Sequence, residues 1–331
     1  MTSSISRYGR IQTPVIVACC AVLLGTGLVG GRLVSADKPE PEPGRRLEWG
    51  VYQILRSRRY CDHLKRATAK IETSPNYVMF YRDLGRRFPA RPIDCIHKTG
   101  ATPMISLELW NWHDRRRSES YLPRINAGAY DQFFKRWARD ARRDGRRVLL
   151  RFGFEMNGDW FSWSENPKAF VAAWRRAQRI FRQEKADNVE WVWSPNIMSV
   201  PDKRENDMHL YYPGDEHVDW VSLDGYNFGD HHDRWHKWQS FEEVFAEALA
   251  DFAKRYASKP MIISEFGSAP GEADQRETWI REAYATIRKF PQVKAVIWFN
   301  YDKRREGEHN WRIDATAGSL RAFNETFAAK R

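Results

Sequence analysis

"RRVLLRFGFEMNGDWFSW", residues 146–163, begins as a strand and ends in a turn that no apolar core requires. Alternation splits "VLLRFGFE" into two faces. Val148, Leu150, Phe152 and Phe154 make an apolar face suited to packing under helices. Leu149, Arg151, Gly153 and Glu155 make the other, with an arginine one layer below a terminal glutamate. Charge on the inner face of an apolar strand is at home where strands ring a pocket, at the carboxyl end of a barrel.

Seven more short apolar runs lie outward from this one, at 48–53, 77–81, 102–110, 189–194, 218–226, 259–267 and 293–300. Segments 128–144, 167–184, 241–256, 274–289 and 318–329 repeat apolar residues every 3.6 positions and read as helices between them. Segment 82–97, with "RRFPARP", reads as irregular. Eight strands alternating with helices predict a single (β/α)8 TIM barrel over residues 48–331. A doubly wound open sheet would want a glycine-rich phosphate turn after its first strand, and none is there.

In a barrel the chemistry sits at the carboxyl ends of the strands. Those ends carry Glu108, Trp110 and Trp112 on the third strand, Glu155 on the fourth, Asp224 and Tyr226 on the sixth, Glu265 on the seventh, and Trp298, Asn300 and Asp302 on the eighth. In "MIISE" simple alternation sets Met261, Ile263 and Glu265 on one face, which predicts a second carboxylate at the rim. A lone glutamate at a strand end is more often a helix cap or a surface charge. Two facing one pocket are the minimum equipment for glycoside hydrolysis.

Composition fits a glycan. The chain has 15 Trp, and a tryptophan offers a flat apolar face with a polar edge, suited to stacking on a sugar ring. Trp110, Trp160, Trp163 and Trp298 are the candidate platforms, Trp163 serving equally well as core; Trp191 and Trp193, inside a strand, read as packing residues. Net charge is +11, but the arginines are scattered over helix faces and no nucleic-acid-binding motif accompanies them, so nucleic acid is not an expected partner. A basic surface equally suits acidic polysaccharide or an anionic membrane. "DHHDRWHKW", residues 230–238, reads as a solvated or sugar-facing lid rather than a metal site. Neither metal nor organic cofactor is expected, and the protein is expected to be a monomer.

Arg7 and Arg10 precede an uncharged apolar run at 15–31, and "VSA" ending at Ala36 offers a cleavage site. Residues 1–36 therefore read as a signal peptide or an uncleaved membrane anchor, either of which places the body outside the cytoplasm. A lipoprotein site at Cys19 or Cys20 is disfavoured, since the apolar run mostly follows these cysteines. Residues 37–47 read as a Pro/Glu-rich linker. Cys61 and Cys95 remain, either paired in an oxidising compartment or buried as free thiols.

"YVMFYRDLG", "PMISLELWNW", "EMNGDWFSW", "WVWSPN", "YYPGDEHVDWVSLDGYN", "IISEFGS" and "IWFN" together resemble glycoside hydrolase family 26, the β-mannanase and lichenase family, over residues 48–326. The resemblance implies a retaining barrel enzyme with Glu155 as acid/base and Glu265 as nucleophile, acting on β-1,4-mannan first and mixed-linkage β-glucan second. Asn157, Gly158 and Trp160 keep the motif around the acid, and Asn157, with Trp110, Arg151, Trp160, Tyr226 and Trp298, is expected to bind substrate. Many members have histidine where this chain has Phe154, which leaves substrate preference open. Retention needs the two carboxyls about 5 Å apart, Glu155 protonated and Glu265 ionised. Tyr226 is the expected donor to Glu265, and Arg151 is either a second donor or half of a structural ion pair. An exopolysaccharide-trimming enzyme and a non-catalytic glycan-binding barrel are the alternatives.

Overall fold

β-branched and aromatic runs bounded by polar turns give eight parallel strands, and the sequence-adjacent ones pair until the eighth returns to the first, closing a barrel. The computed structural model describes residues 47–54, 59–115, 118–230 and 236–329. The expected leader (1–36), nearly all of the linker (37–47) and the middle of the histidine-rich segment lie outside the described residues. The strands are β1 (Glu48–Tyr52), β2 (Tyr77–Asp83), β3 (Thr102–Glu108), β4 (Val148–Phe152), β5 (Val189–Trp193), β6 (Trp220–Asn227), β7 (Met261–Ser268) and β8 (Val293–Trp298).

The helices are α1 (Tyr60–Thr68), α2 (Ala90–His97), α3 (Leu122–Asn126), α4 (Asp131–Asp144), α5 (Pro167–Gln183), α6 (Phe241–Arg255), α7 (Gln275–Ile287) and α8 (Ala317–Thr326). Their ends follow local chemistry. Asn166 caps α5 by accepting from the Ala169 N–H, with Pro167 in the first turn. Ser240 and Glu243 form a capping box on α6, and Gly145 ends α4 at φ 72°, where a left-handed residue is needed. The segment expected to be irregular, 82–97, holds α2 after its proline-bearing turn. Cys61 on α1 and Cys95 on α2 are joined in a disulfide, which resolves the two alternatives left by the sequence.

Two cores result. Val148, Leu150, Phe152 and their equivalents pack under the helices, while Met79, Met104, Leu149, Val192, Ile262 and Ile297 fill the barrel floor. Above that floor the interior turns polar: Ser106, Arg151, Ser194, Ser222, Asp224 and Ser264 are all fully buried. Serine is small enough to leave room for a guanidinium inside the barrel and still supply hydrogen bonds.

Strand β7 corrects the simple alternation. Ile262 faces the interior, whereas Met261 and Ile263 face the helices. The register against β6 then jumps from Leu223↔Ile263 to Asp224↔Glu265, and against β8 from Ile263↔Val296 to Phe266↔Trp298. Ser264 is the extra residue of a β-bulge, and it turns Glu265 into the mouth.

Candidate active site

Arg151 rises from β4 into the barrel axis and is completely enclosed. Its Nε donates to Ser194 Oγ (3.0 Å) and its Nη1 to Ser106 Oγ (3.0 Å). Nη1 also meets Glu265 Oε1 at 2.5 Å, and Nη2 is paired with Asp224. Burial works against the positive charge, but the carboxylates of Asp224 and Glu265 outweigh it and push the guanidinium pKa above its ordinary value.

Glu265 is held from three sides. Besides Arg151, the Tyr81 hydroxyl donates to Oε1 at 2.6 Å and the Tyr226 hydroxyl to Oε2 at 2.6 Å. Both phenols are pushed well above the usual tyrosine value, first by burial and then by the charge of Glu265, so they act as fixed donors. A carboxylate is the acceptor that satisfies such a set. It stands pinned, with little freedom to turn.

Glu155 is treated differently. It stands three residues past the end of β4 with φ 49°, a left-handed backbone that few side chains adopt. Asn196 Nδ2 donates to Oε1 (2.8 Å) and Trp160 Nε1 to Oε2 (2.9 Å). Burial, followed by the charge of Glu265, raises its pKa to about 7; Arg151, Asn196 and Trp160 oppose the rise. Asp224 is pushed up in the same way, chiefly by burial, against the pull of Arg151. One guanidinium thus faces three carboxyl groups, and the site favours a proton on at least one of them.

Phe154 precedes Glu155 and lines an aromatic wall around Arg151. Its ring packs against Tyr81 (5.3 Å), Phe161 (5.0 Å) and Trp163 (5.7 Å) and lies 4.2 Å from the Arg151 guanidinium carbon.

The structure gathers Glu155, Glu265, Tyr226 and Trp160 at the mouth, with Arg151 enclosed beneath them. It separates others. Trp298 has no exposed surface; it packs against Phe266, Trp279 and Phe323 and donates to the Trp311 carbonyl at 2.6 Å. It shares the helix-facing side of β8 with Val296, so it cannot meet a polymer. Trp110 and Trp163 are likewise enclosed, stacked edge-to-face 5.0 Å apart. Trp112, 40% exposed and anchored through Nε1 to Glu108 Oε2 (2.7 Å), presents the open ring on that side. Asn157 is fully buried and bonds the loop after β5, so it positions that loop and does not touch substrate. Arg151, enclosed beneath the carboxylates, is also removed from direct substrate contact. Asn300 accepts from the Ile313 N–H and Asp302 pairs with Arg304. Trp191 and Trp193 are core, the latter stacked on Phe252.

Tyr81 and Asn196 are the functional side chains that residue reasoning passed over. Tyr81 shares a face with Tyr77 and Met79, an alternation visible in "YVMFY". Among the described residues no group of three or more His, Cys, Asp or Glu converges as a metal site, and no helix is long and apolar enough to cross a membrane.

Residues 108–296 match the profile of Glycosyl hydrolase family 26. "Endoglucanase H" of Acetivibrio thermocellus is 34% identical over 244 residues, covering 71% of this chain and 25% of that protein. "Mannan endo-1,4-beta-mannosidase A and B" of Caldalkalibacillus mannanilyticus is 31% identical over 198 residues, 57% of this chain and 33% of that protein. The matches thus span only a quarter to a third of these relatives' length. Among solved structures, the catalytic domain of the Bacillus sp. JAMB-750 GH26 endo-β-1,4-mannanase superposes with a TM-score of 0.62 over 86% of this chain and 88% of that one. At 17% identity this similarity bears on the fold alone.

Proposed function

The chain belongs to glycosyl hydrolase family 26, and from that premise we propose that it is a retaining endo-β-glycanase, with Glu265 as nucleophile and Glu155 as acid/base. The observation that carries this reading is the opposite treatment of two neighbouring carboxyls. Glu265 receives a guanidinium and two phenols, while Glu155 is raised to about 7. That is the division of labour a double displacement needs.

In the first step Glu265 attacks the anomeric carbon and Glu155 gives its proton to the departing glycosidic oxygen. A glycosyl ester forms on Glu265 and the cleaved chain leaves as an alcohol. In the second step Glu155, now ionised, takes a proton from water, whose oxygen displaces Glu265 and restores the configuration. Tyr81, Tyr226 and Arg151 keep Glu265 aligned through both steps.

We place β-1,4-mannan first as substrate and mixed-linkage β-glucan second. One similar protein is named a mannan endo-mannosidase and another an endoglucanase. Phe154 at the family's usual histidine position removes a polar contact beside the sugar. Export is part of the proposal: the arginine-flanked apolar run at 15–31 and the Cys61–Cys95 disulfide both suit a compartment outside the cytoplasm. A panel of β-mannans, β-glucans, β-xylans and acidic exopolysaccharides, with product anomers read by NMR, tests the reading. Retained configuration and a 2-fluoro glycoside label on Glu265 are expected; inverted product, or label elsewhere, overturns the mechanism.

A further inference from the structure

Three asparagines form a buried line leading away from Glu155. Asn196 Nδ2 donates to Glu155 Oε1 (2.8 Å), while its Oδ1 accepts from the Met198 N–H (3.0 Å). Asn157 Oδ1 accepts from the Asn196 N–H (2.9 Å), and its Nδ2 donates to the carbonyls of Asn196 (2.9 Å) and Met198 (3.2 Å) and to Ser199 Oγ (3.2 Å). Asn206 stands behind both. Its Nδ2 donates to the carbonyls of Asn157 (2.8 Å) and Pro201 (3.1 Å), and its Oδ1 accepts from the Tyr211 hydroxyl (2.6 Å). Asn157 and Asn206 have no exposed surface, and Tyr211 has none either.

Each amide in this line has its oxygen matched to a donor and its nitrogen to acceptors. None can rotate end for end without placing like groups against each other. Tyr211 therefore fixes the sense of Asn206, which fixes the Asn157 backbone; Asn157 fixes the loop at 196–199, and that loop presents an N–H to Glu155. The same stretch must also hold Glu155 at φ 49°, a conformation the surroundings have to impose. Backbone bonds from Glu155 N to the Ser194 carbonyl and from Val200 N to the Asn157 carbonyl complete the frame.

We propose that Asn206 is a positioning residue for the acid/base: it aims the Glu155 carboxyl at the glycosidic oxygen through Asn157 and Asn196, without touching substrate. The proposal rests on the reading of Glu155 as proton donor. Its consequence is selective, because only a leaving group that needs a proton depends on the aim of that carboxyl.

The test compares kcat/KM of the full chain on polysaccharide with that on a dinitrophenyl β-oligoside, whose leaving group departs without a proton. In Asn206→Ala the value on polysaccharide should fall about 100-fold, the effect of a misplaced catalytic group, while the activated substrate stays near the parent value. Asn206→Asp keeps the acceptor for Tyr211 but loses both donated bonds, and should show the same skew. Asn188→Ala is the control: Asn188 Nδ2 also bridges two carbonyls, those of Ala141 (2.9 Å) and Arg146 (2.7 Å), but at the opposite end of the barrel. It should leave the ratio unchanged. Should Asn206→Ala fail to fold, Tyr211→Phe, which removes one oxygen, should give a smaller skew in the same direction. Equal loss on both substrates, no loss on either, or the same skew in Asn188→Ala overturns the proposal while the function stands. A parent protein inert on every glycan and unlabelled by the 2-fluoro glycoside overturns both.

Discussion

The Arg151 guanidinium carbon lies 4.2 Å from the centre of the Phe154 ring, inside a wall where neither side chain reaches bulk water. A cation held against an aromatic face in such surroundings is stabilised by about 2 kcal/mol. Phe154→Leu keeps the site apolar and removes the ring face. It should lower the free energy of unfolding by about that amount, read as a reduced urea midpoint at unchanged slope. An unchanged midpoint would mean that the ring face does not hold the guanidinium.

A second expectation concerns pH and stability. Glu155 is raised from 4.5 to about 7, so the folded protein holds an extra proton between those values. The stability that proton supplies is complete below pH 4.5 and is lost as pH rises through about 7. The loss is on the order of 3 kcal/mol. Glu155→Gln has no such proton, and the difference in stability between parent and variant should change across this window and flatten outside it. Parallel curves from pH 4 to pH 8 would contradict the assignment.

Trp160 donates to Glu155 Oε2 and favours its charged form. Trp160→Phe removes that donor and should raise the pKa of the acid. The proposed mechanism needs Glu155 protonated, so the alkaline limb of the kcat/KM profile should move to higher pH. A limb that stays in place, or moves down, would show that Trp160 does not tune the acid.

Trp298, buried, and Trp112, 40% exposed, should answer differently to truncation. Trp298→Ala opens a hole between β8 and the helices and should cost about 3–5 kcal/mol of stability. Trp112→Ala should leave the fold nearly unchanged and weaken oligosaccharide binding by about tenfold, the worth of one aromatic contact. Thermal unfolding and calorimetry on Glu265→Gln carriers of each change give the two readouts. Binding lost with Trp298 and kept with Trp112 would reverse the assignments.

Glu155 was legible in the sequence because β4 is regular: Leu149 and Arg151 face inward, and the following turn delivers the glutamate to the mouth. Glu265 reached its expected place by an unexpected path. Alternation counts residues, and the bulge at Ser264 adds one that no periodicity reveals. Trp298 shows the converse. Its face was readable from Val296 and Ile297, but a tryptophan near a strand end draws attention for its chemistry before its direction is counted. Tyr81 was hidden by resembling its apolar neighbours; only the hydroxyl, aimed at Glu265, sets it apart. Asn196 lies in the loop after β5 and Asn206 ends a single 3-10 turn (Arg204–Asn206), where sequence spacing carries little geometry. The α2 helix escaped because arginine and proline crowd its start, although the residues after Pro89 bury Pro92, Ile93 and Ile96 as any amphipathic turn would.

Arg151 is at once the barrel's central polar brace and the clamp on Glu265, whereas Glu155 sits at the rim with two neutral donors. These positions make unequal targets for mutation over evolutionary time. Replacing Arg151 strands two buried carboxyls and endangers the fold itself, so selection for a folded protein guards it even where the reaction has become useless. Replacing Glu155 by glutamine leaves every packed layer intact. A descendant that abandons hydrolysis for mere glycan binding is therefore expected to have lost Glu155 first and to carry Arg151 unchanged, a vestige of chemistry kept for its structural work.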